Sequence, residues 1–286
     1  DQSLNQVGCT PMDISGALSL LAMYESWDNL SNIKTLRAFN INDWPRFIID
    51  IRDIQEGLYN QSTMKFEELT TIPALTEQAV KGQYEKYPYP CWSNLDYKKT
   101  TLYGLALKNE YPTANLPSHI FGKKLDVLIA GCGTGRHALN VAKFFKGVDI
   151  LAVDISRQSL AYAKNKADKL KIDNIKFKLA DLTAIPNLDK KFNIIECSGV
   201  LHHIREDQKA LRNLLKNLLP NGLIKISLYS QRARRNITSM REVFSSTLIN
   251  DIQIKVARQA IMRSEDKKIT EGIVSSNDFY SMSGTV

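Results

Sequence analysis

The chain has 286 residues, 43 % hydrophobic and 24 % charged, which is enough apolar material for a large α/β domain plus a smaller piece and excludes a disordered polymer. Its formal net charge is +8, which suits nucleic acid or an acidic partner surface but also follows from a lysine-rich composition, the plainer explanation here. No apolar run approaches the roughly 20 residues of a membrane helix, and no basic segment ahead of an apolar core marks a signal peptide, so a cytoplasmic protein without membrane insertion is expected.

Thr10-Pro11 reads as a helix cap, and Ile14, Ala17, Leu18, Leu21 and Tyr24 follow at helical spacing. Asp43-Trp44-Pro45 opens a second helix whose apolar stripe is Trp44, Phe47, Ile48, Ile51 and Ile54. Leu75, Ala79, Val80 and Tyr84 suggest a third. Residues 1–86 are thus a helical region whose stripes serve as core, or as a docking or dimer surface.

Residues 87–122 form an aromatic segment and linker. Gln83 to Trp92 holds Tyr84, Tyr87, Tyr89 and Trp92, with Pro88 and Pro90 enforcing extended backbone. A packed connector is the simple reading. The preferred one is a lid over a binding site, because aromatic faces attract sulfonium and ammonium groups. Tyr111-Pro112 to Gly122 is rich in turn formers and marks a boundary.

From 123 to 230 the chain alternates strand and helix, which signals a parallel sheet covered on both faces. The first strand, Leu125 to Ala130, runs into Gly131-Cys132-Gly133-Thr134-Gly135, and a helix follows. Such a turn offers free backbone N–H groups to an anion. A dinucleotide fingerprint wants a small residue where Arg136 stands, and a P-loop needs a Gly-Lys-Ser/Thr that is absent. The second strand ends in Asp154, nineteen residues past Gly135, where a carboxylate can accept from a ribose diol. Ser156 caps the next helix, which buries Leu160, Ala163, Ala167 and Leu170. The third strand, Ile175 to Ala180, ends in Asp181, placed to read an adenine.

Phe192 to Ser198 is a fourth strand leading to Gly199-Val200-Leu201-His202-His203. Strands one and four flank the point where strand order reverses, so Cys197, Ser198 and Gly199 face the ligand. Of the two histidines one is structural, and the other, taken as His202, orients a substrate or takes a proton. No third ligand lies nearby, and the four cysteines form no Cys-x-x-Cys pair, so no metal is expected. Leu211, Leu214, Leu215, Leu218 and Leu219 read as a core helix, and Pro220-Asn221-Gly222 turns into a fifth strand. Residues 231–286 read as a helical extension carrying Ile237, Met240, Val243, Phe244, Leu248 and Ile252, with Arg232, Arg234, Arg235 and Arg241 as a basic face.

The glycine turn and the two strand-end acids resemble the class I S-adenosylmethionine-dependent methyltransferases, over about Gln83 to Ser230. The resemblance implies a doubly wound, Rossmann-like α/β sheet and S-adenosyl-L-methionine as cofactor. It implies a cofactor site of Gly131, Cys132, Gly133, Gly135, Asp154, Ile155, Asp181, Leu182, Cys197, Ser198 and Gly199. One position departs from the pattern: where the family has an acid two residues before the first glycine, this chain has Ile129, so the methionine amino group is expected to find another partner, such as a backbone carbonyl. The Gln83 to Trp92 segment and the Ala17 to Tyr24 helix also resemble a bacterial group that includes rickettsial protein-lysine methyltransferases acting on outer membrane protein B. That implies a polypeptide acceptor, with Tyr87, Tyr89 and Tyr229 shaping an amine channel. An RNA or small-molecule acceptor is the alternative. The nucleic-acid enzymes' Asn/Asp-Pro-Pro-Tyr element is replaced by Ser198-Gly199-Val200-Leu201, which counts against RNA. The antiparallel strand pair that closes this fold is not found after Tyr229, and the chain opens on Asp1. The expectation is a fragment, and a non-catalytic truncated product is the third reading.

Overall fold

The computed structural model describes residues 10–22, 40, 43–59, 64–71, 88–122, 124–235 and 251–264. The chain divides into two compact units, residues 1–64 with 91–95, and residues 65–90 with 96–286.

In the first unit, α1 (Pro11–Ala22) packs on α2 (Arg46–Tyr59). Thr10 caps α1: the Asp13 N–H donates to Thr10 Oγ1 at 3.4 Å while the Asp13 carboxylate accepts from the Thr10 N–H at 2.8 Å. Ile14, Leu18, Trp44, Ile48 and Trp92 are among its buried side chains. The expected stripes are narrower than their spacing suggested. Ala17 is exposed, and so is Phe47, because α2 turns Ile48 rather than Phe47 inward. The expected third helix lies outside the described residues.

The second unit is built on a parallel sheet of β1 (Leu125–Ala130), β2 (Val148–Asp154), β3 (Ile175–Leu179), β4 (Phe192–Ser198) and β5 (Leu218–Ser227), in the order β3-β2-β1-β4-β5. Crossovers run through α4 (Arg136–Phe144), α5 (Arg157–Lys169) and α6 (Asp207–Leu215), while α3 (Tyr103–Glu110) precedes β1. Helices on both faces explain the unbroken apolar runs of the central strands. Leu128, Ala130, Ile195 and Cys197 belong to the core of one face. Ser156 caps α5 by accepting from the Ser159 N–H at 3.1 Å. Leu160, Ala163 and Ala167 are buried there, but Leu170, at the helix end, is only partly so.

Two features depart from the sequence expectation. Residues 65–71, read as part of the helical region, lie along the free edge of β3. The Leu179 N–H donates to the Glu67 carbonyl and the Leu69 N–H to the Leu179 carbonyl, each at 2.9 Å. Salt bridges Lys178–Glu67 and Arg157–Glu68, both at 2.6 Å, flank this added pairing. Second, α6 stops at Leu215, so Leu218 and Leu219 begin β5 and Leu215 stays exposed. Asn221 sits at φ +62° where β5 shifts register against β4, the left-handed conformation asparagine tolerates. Among the described residues no strand follows β5. Of the extension, α7 (Asp251–Met262) is helical, while 236–250, including Arg241, lie outside the described residues.

Candidate functional site

The reversal of strand order between β1 and β4 opens a crevice at the carboxyl ends of the strands, as doubly wound sheets require. A cavity of about 420 Å³ occupies it, within the range of small-molecule sites.

Its floor is the turn after β1. The N–H groups of Gly131 and Cys132 both donate to the Val153 carbonyl, at 2.8 and 3.0 Å, which ties the turn to β2. The Gly133 N–H donates to Asp154 Oδ2 at 2.7 Å, and the Ser156 N–H donates to Asp154 Oδ1 at 2.9 Å. Asp154 is thereby held at the cavity edge, beside the turn. Gly131 lies at φ +73°, and a Cβ there would collide with the Val200 side chain. Gly131, Cys132, Gly133, Asp154, Ile155, Asp181, Leu182, Ser198 and Gly199 all line the cavity. Asp181 is fixed by neighbours: its N–H donates to Thr70 Oγ1 at 2.9 Å, and its Oδ1 accepts from the Thr183 N–H at 2.7 Å.

Two expected residues do not face the cavity. Gly135 sits at φ +80° ahead of α4, and a Cβ there would approach Ala163 Cβ to 2.6 Å, so its bareness serves helix packing. Cys197 is fully buried in the opposite face, because side chains alternate along β4 and Glu196 takes the cavity side. Burial pushes its thiol up to about 12. Burial and the neighbouring Asp154 likewise raise the Cys132 thiol well above its ordinary value, so neither cysteine is a thiolate near neutral pH.

The roof comes from the aromatic segment. Tyr89 and Pro90 line the cavity, and the Tyr89 carbonyl lies over Gly133, 3.1 Å from where a Cβ would stand. The Thr134 hydroxyl donates to the Pro90 carbonyl. Asn140, buried in α4, holds the next stretch: its Oδ1 accepts from the N–H groups of Asp96 and Tyr97 at 3.0 and 3.1 Å, and its Nδ2 donates to Asp96 Oδ2 at 3.0 Å. Asp96 also pairs with Arg136. Tyr87 lies outside the described residues.

The two histidines separate. His203 lines the cavity with Tyr229, whereas His202 stands behind. The His202 ring stacks on Tyr229 with centroids 3.7 Å apart, and the Arg234 guanidinium lies 3.7 Å from the same centroid. Burial, then the nearby His203 and Arg234, lower the His202 pKa to about 4. His202 is therefore a neutral ring that props Tyr229, and it has no direct line to the cavity.

Sequence reasoning overlooked one group entirely. Glu196 on β4 is 1 % exposed, yet it lines the cavity with His137. Its Oε1 accepts from the Tyr103 hydroxyl at 2.6 Å, and its Oε2 lies 2.7 Å from His137 Nε2. Burial works to raise its pKa, but the His137 hydrogen bond and charge, the Tyr103 hydroxyl and the charge of Lys225 outweigh it and hold the carboxyl below its usual range. The signal was an acid inside a strand buried on both faces.

The residues present fit S-adenosylmethionine: a bare backbone cradle at Gly131 and Gly133, an acid fixed beside it, a second acid past β3, and an apolar, aromatic-rimmed cavity. A family model described as "Methyltransferase domain" matches residues 121–281. An uncharacterized protein of Synechococcus is 30 % identical over 185 residues, covering 63 % of this chain and 44 % of its own length. A ubiquinone biosynthesis O-methyltransferase of Rickettsia akari is 29 % identical over 117 residues, covering 40 % of this chain and 43 % of its own length. The structure of PKMT2 from Rickettsia typhi in complex with AdoHcy is similar with TM-score 0.47 and 25 % identity, covering 58 % of this chain and 33 % of that one. The chain thus spans less than half the length of each of these relatives.

Proposed function

The chain belongs to the methyltransferase-domain family, and from that premise we propose that it transfers methyl groups from S-adenosyl-L-methionine to lysine amines of a polypeptide. The observation that carries the cofactor half is the hydrogen bond between the Gly133 N–H and Asp154, which fixes the bare glycine turn and a carboxylate on one cavity wall. The turn from Gly131 to Gly133, Asp154, Ile155, Asp181, Leu182, Ser198 and Gly199 would hold the cofactor. When bound, the cofactor supplies an electrophilic methyl group on a cationic sulfur.

The acceptor half rests on the resemblance of the aromatic segment and on the cavity rim. Tyr89, Tyr97, His203 and Tyr229 line it. Ring faces suit an alkylammonium chain. Stripping water from that ammonium favours the neutral, nucleophilic amine. The rings keep water out, and the rim aligns the amine; no residue is assigned as a base. Homodimerisation, a cytoplasmic setting and the absence of a nucleic-acid substrate belong to the same reading.

A second reading is transfer to a hydroxyl of a small molecule, favoured by the identity with the ubiquinone biosynthesis O-methyltransferase of R. akari. The test is incubation with radiolabelled S-adenosylmethionine and three acceptor sets: lysine-containing polypeptides, RNA, and hydroxylated aromatics. Label on polypeptide lysines is expected. Label confined to either other set overturns the acceptor. No labelling, together with no thermal stabilisation by S-adenosylhomocysteine, favours a non-catalytic product.

A further inference from the structure

β1 and β4 are paired neighbours, and their register places Ile129 beside Glu196. Register partners on parallel strands point their side chains to the same face. The opposite face is accounted for, since Leu128, Ala130, Ile195 and Cys197 alternate into its core. Glu196 therefore stands one strand over from the place where an acid at position 129 would stand, and both residues line the same cavity.

The charge of Glu196 is answered only in part, by His137 and by the field of Lys225. Its partners are the Tyr103 hydroxyl and the His137 imidazole, and the carboxylate can only accept, so both act as donors. Its register partner on β5 is Lys225, whose charge favours the carboxylate without an ion pair between them, while its ammonium pairs with Glu110 Oε2 at 3.3 Å. Among the described residues no lysine or arginine forms an ion pair with Glu196. Asp96, another acid at the cavity, is paired with Arg136 and half exposed. A carboxylate this deep is costly without a cation. His137 lies between it and open space, its side chain 41 % exposed.

We propose that Glu196, acting with His137, receives the α-ammonium of S-adenosylmethionine, so that the acid absent from β1 at Ile129 is supplied by the neighbouring strand. The inference rests on the cavity being the cofactor site. Glu196 sets the His137 ring through Oε2, and the pair presents one net negative charge to the cavity wall when the imidazole is neutral.

The test compares two ligands by titration calorimetry on the full chain: S-adenosylhomocysteine, and the same thioether with hydrogen in place of the amino group. The wild type is expected to favour the amine by about tenfold to a hundredfold, the weight of a charge-assisted hydrogen bond. Glu196→Gln should lose that preference while binding the deaminated ligand within about twofold of wild type. A general structural defect would weaken both ligands alike, and that result, or a retained preference, overturns the proposal. If Glu196→Gln does not fold, the half-exposed His137→Gln decides by the same comparison. A wild type that binds both ligands equally overturns this inference alone. A wild type that binds neither overturns the cofactor reading as well.

Discussion

The Gly133 N–H and the Asp154 carboxylate meet at 2.7 Å across the ends of β1 and β2, so the glycine turn and the second-strand acid form one unit. Asp154→Ala removes an acceptor for two backbone N–H groups, those of Gly133 and Ser156. Affinity for S-adenosylhomocysteine is expected to fall by about tenfold or more, since hydrogen bonds to charged groups are worth about 1.5–3 kcal/mol. Calorimetry on the variant checks this; unchanged affinity would remove Asp154 from the site.

Gly131→Ala combines a left-handed φ of +73° with a Cβ driven into Val200. The expected cost is about 2–4 kcal/mol, from backbone strain plus overpacking. Urea unfolding measures it. Because Val200 lines the cavity, ligand affinity should drop too. A variant as stable as wild type would mean the turn relaxes freely.

Asn140 anchors the roof from within α4, accepting from two N–H groups and donating to Asp96. Asn140→Ala is expected to cost about 1–3 kcal/mol by leaving those donors without their acceptor. It should also speed tryptic cleavage at the exposed Lys98-Lys99 pair, next to the released residues. Identical cleavage rates in the two proteins would show that the roof is held by other contacts.

His202 gives a pH signature. Its pKa falls from 6.5 to about 4 on folding, so the folded state prefers the neutral ring. Its contribution is complete above pH 6.5 and is lost as pH drops toward 4, where the unfolded chain binds the proton more readily. Since the ring is partly exposed, the effect is of order 1 kcal/mol. His202→Phe keeps an aromatic ring against Tyr229 without the titration. Its melting temperature should decline less than that of wild type between pH 6.5 and 4. Parallel melting curves would count against a neutral His202.

Much of this was legible before any coordinates. The Thr10 cap, the apolar run of β1, the Ser156 cap and the left-handed Asn221 are each decided within a few residues, by turn chemistry and by the burial of parallel strands. The spacing from Gly135 to Asp154 carried the cavity because a βαβ unit returns its second strand beside the first. Less was visible where a residue's surroundings come from far along the chain. Thr70 meets Asp181, 111 residues on, and residues 65–71 pair with β3, with no local pattern to announce it. The adjacent His202 and His203 look alike in sequence, and only the packing of Tyr229 and Arg234 separates a ring that props Tyr229 from a cavity wall.

The sequence by itself determined the alternation of strands and helices, the glycine turn and the acid that closes on it, because periodicity and turn chemistry act over neighbouring residues. The tertiary structure decided which buried carboxylate faces the cavity. Ile129 and Glu196 are 67 positions apart, and only strand order and register, which the whole core sets together, bring them side by side.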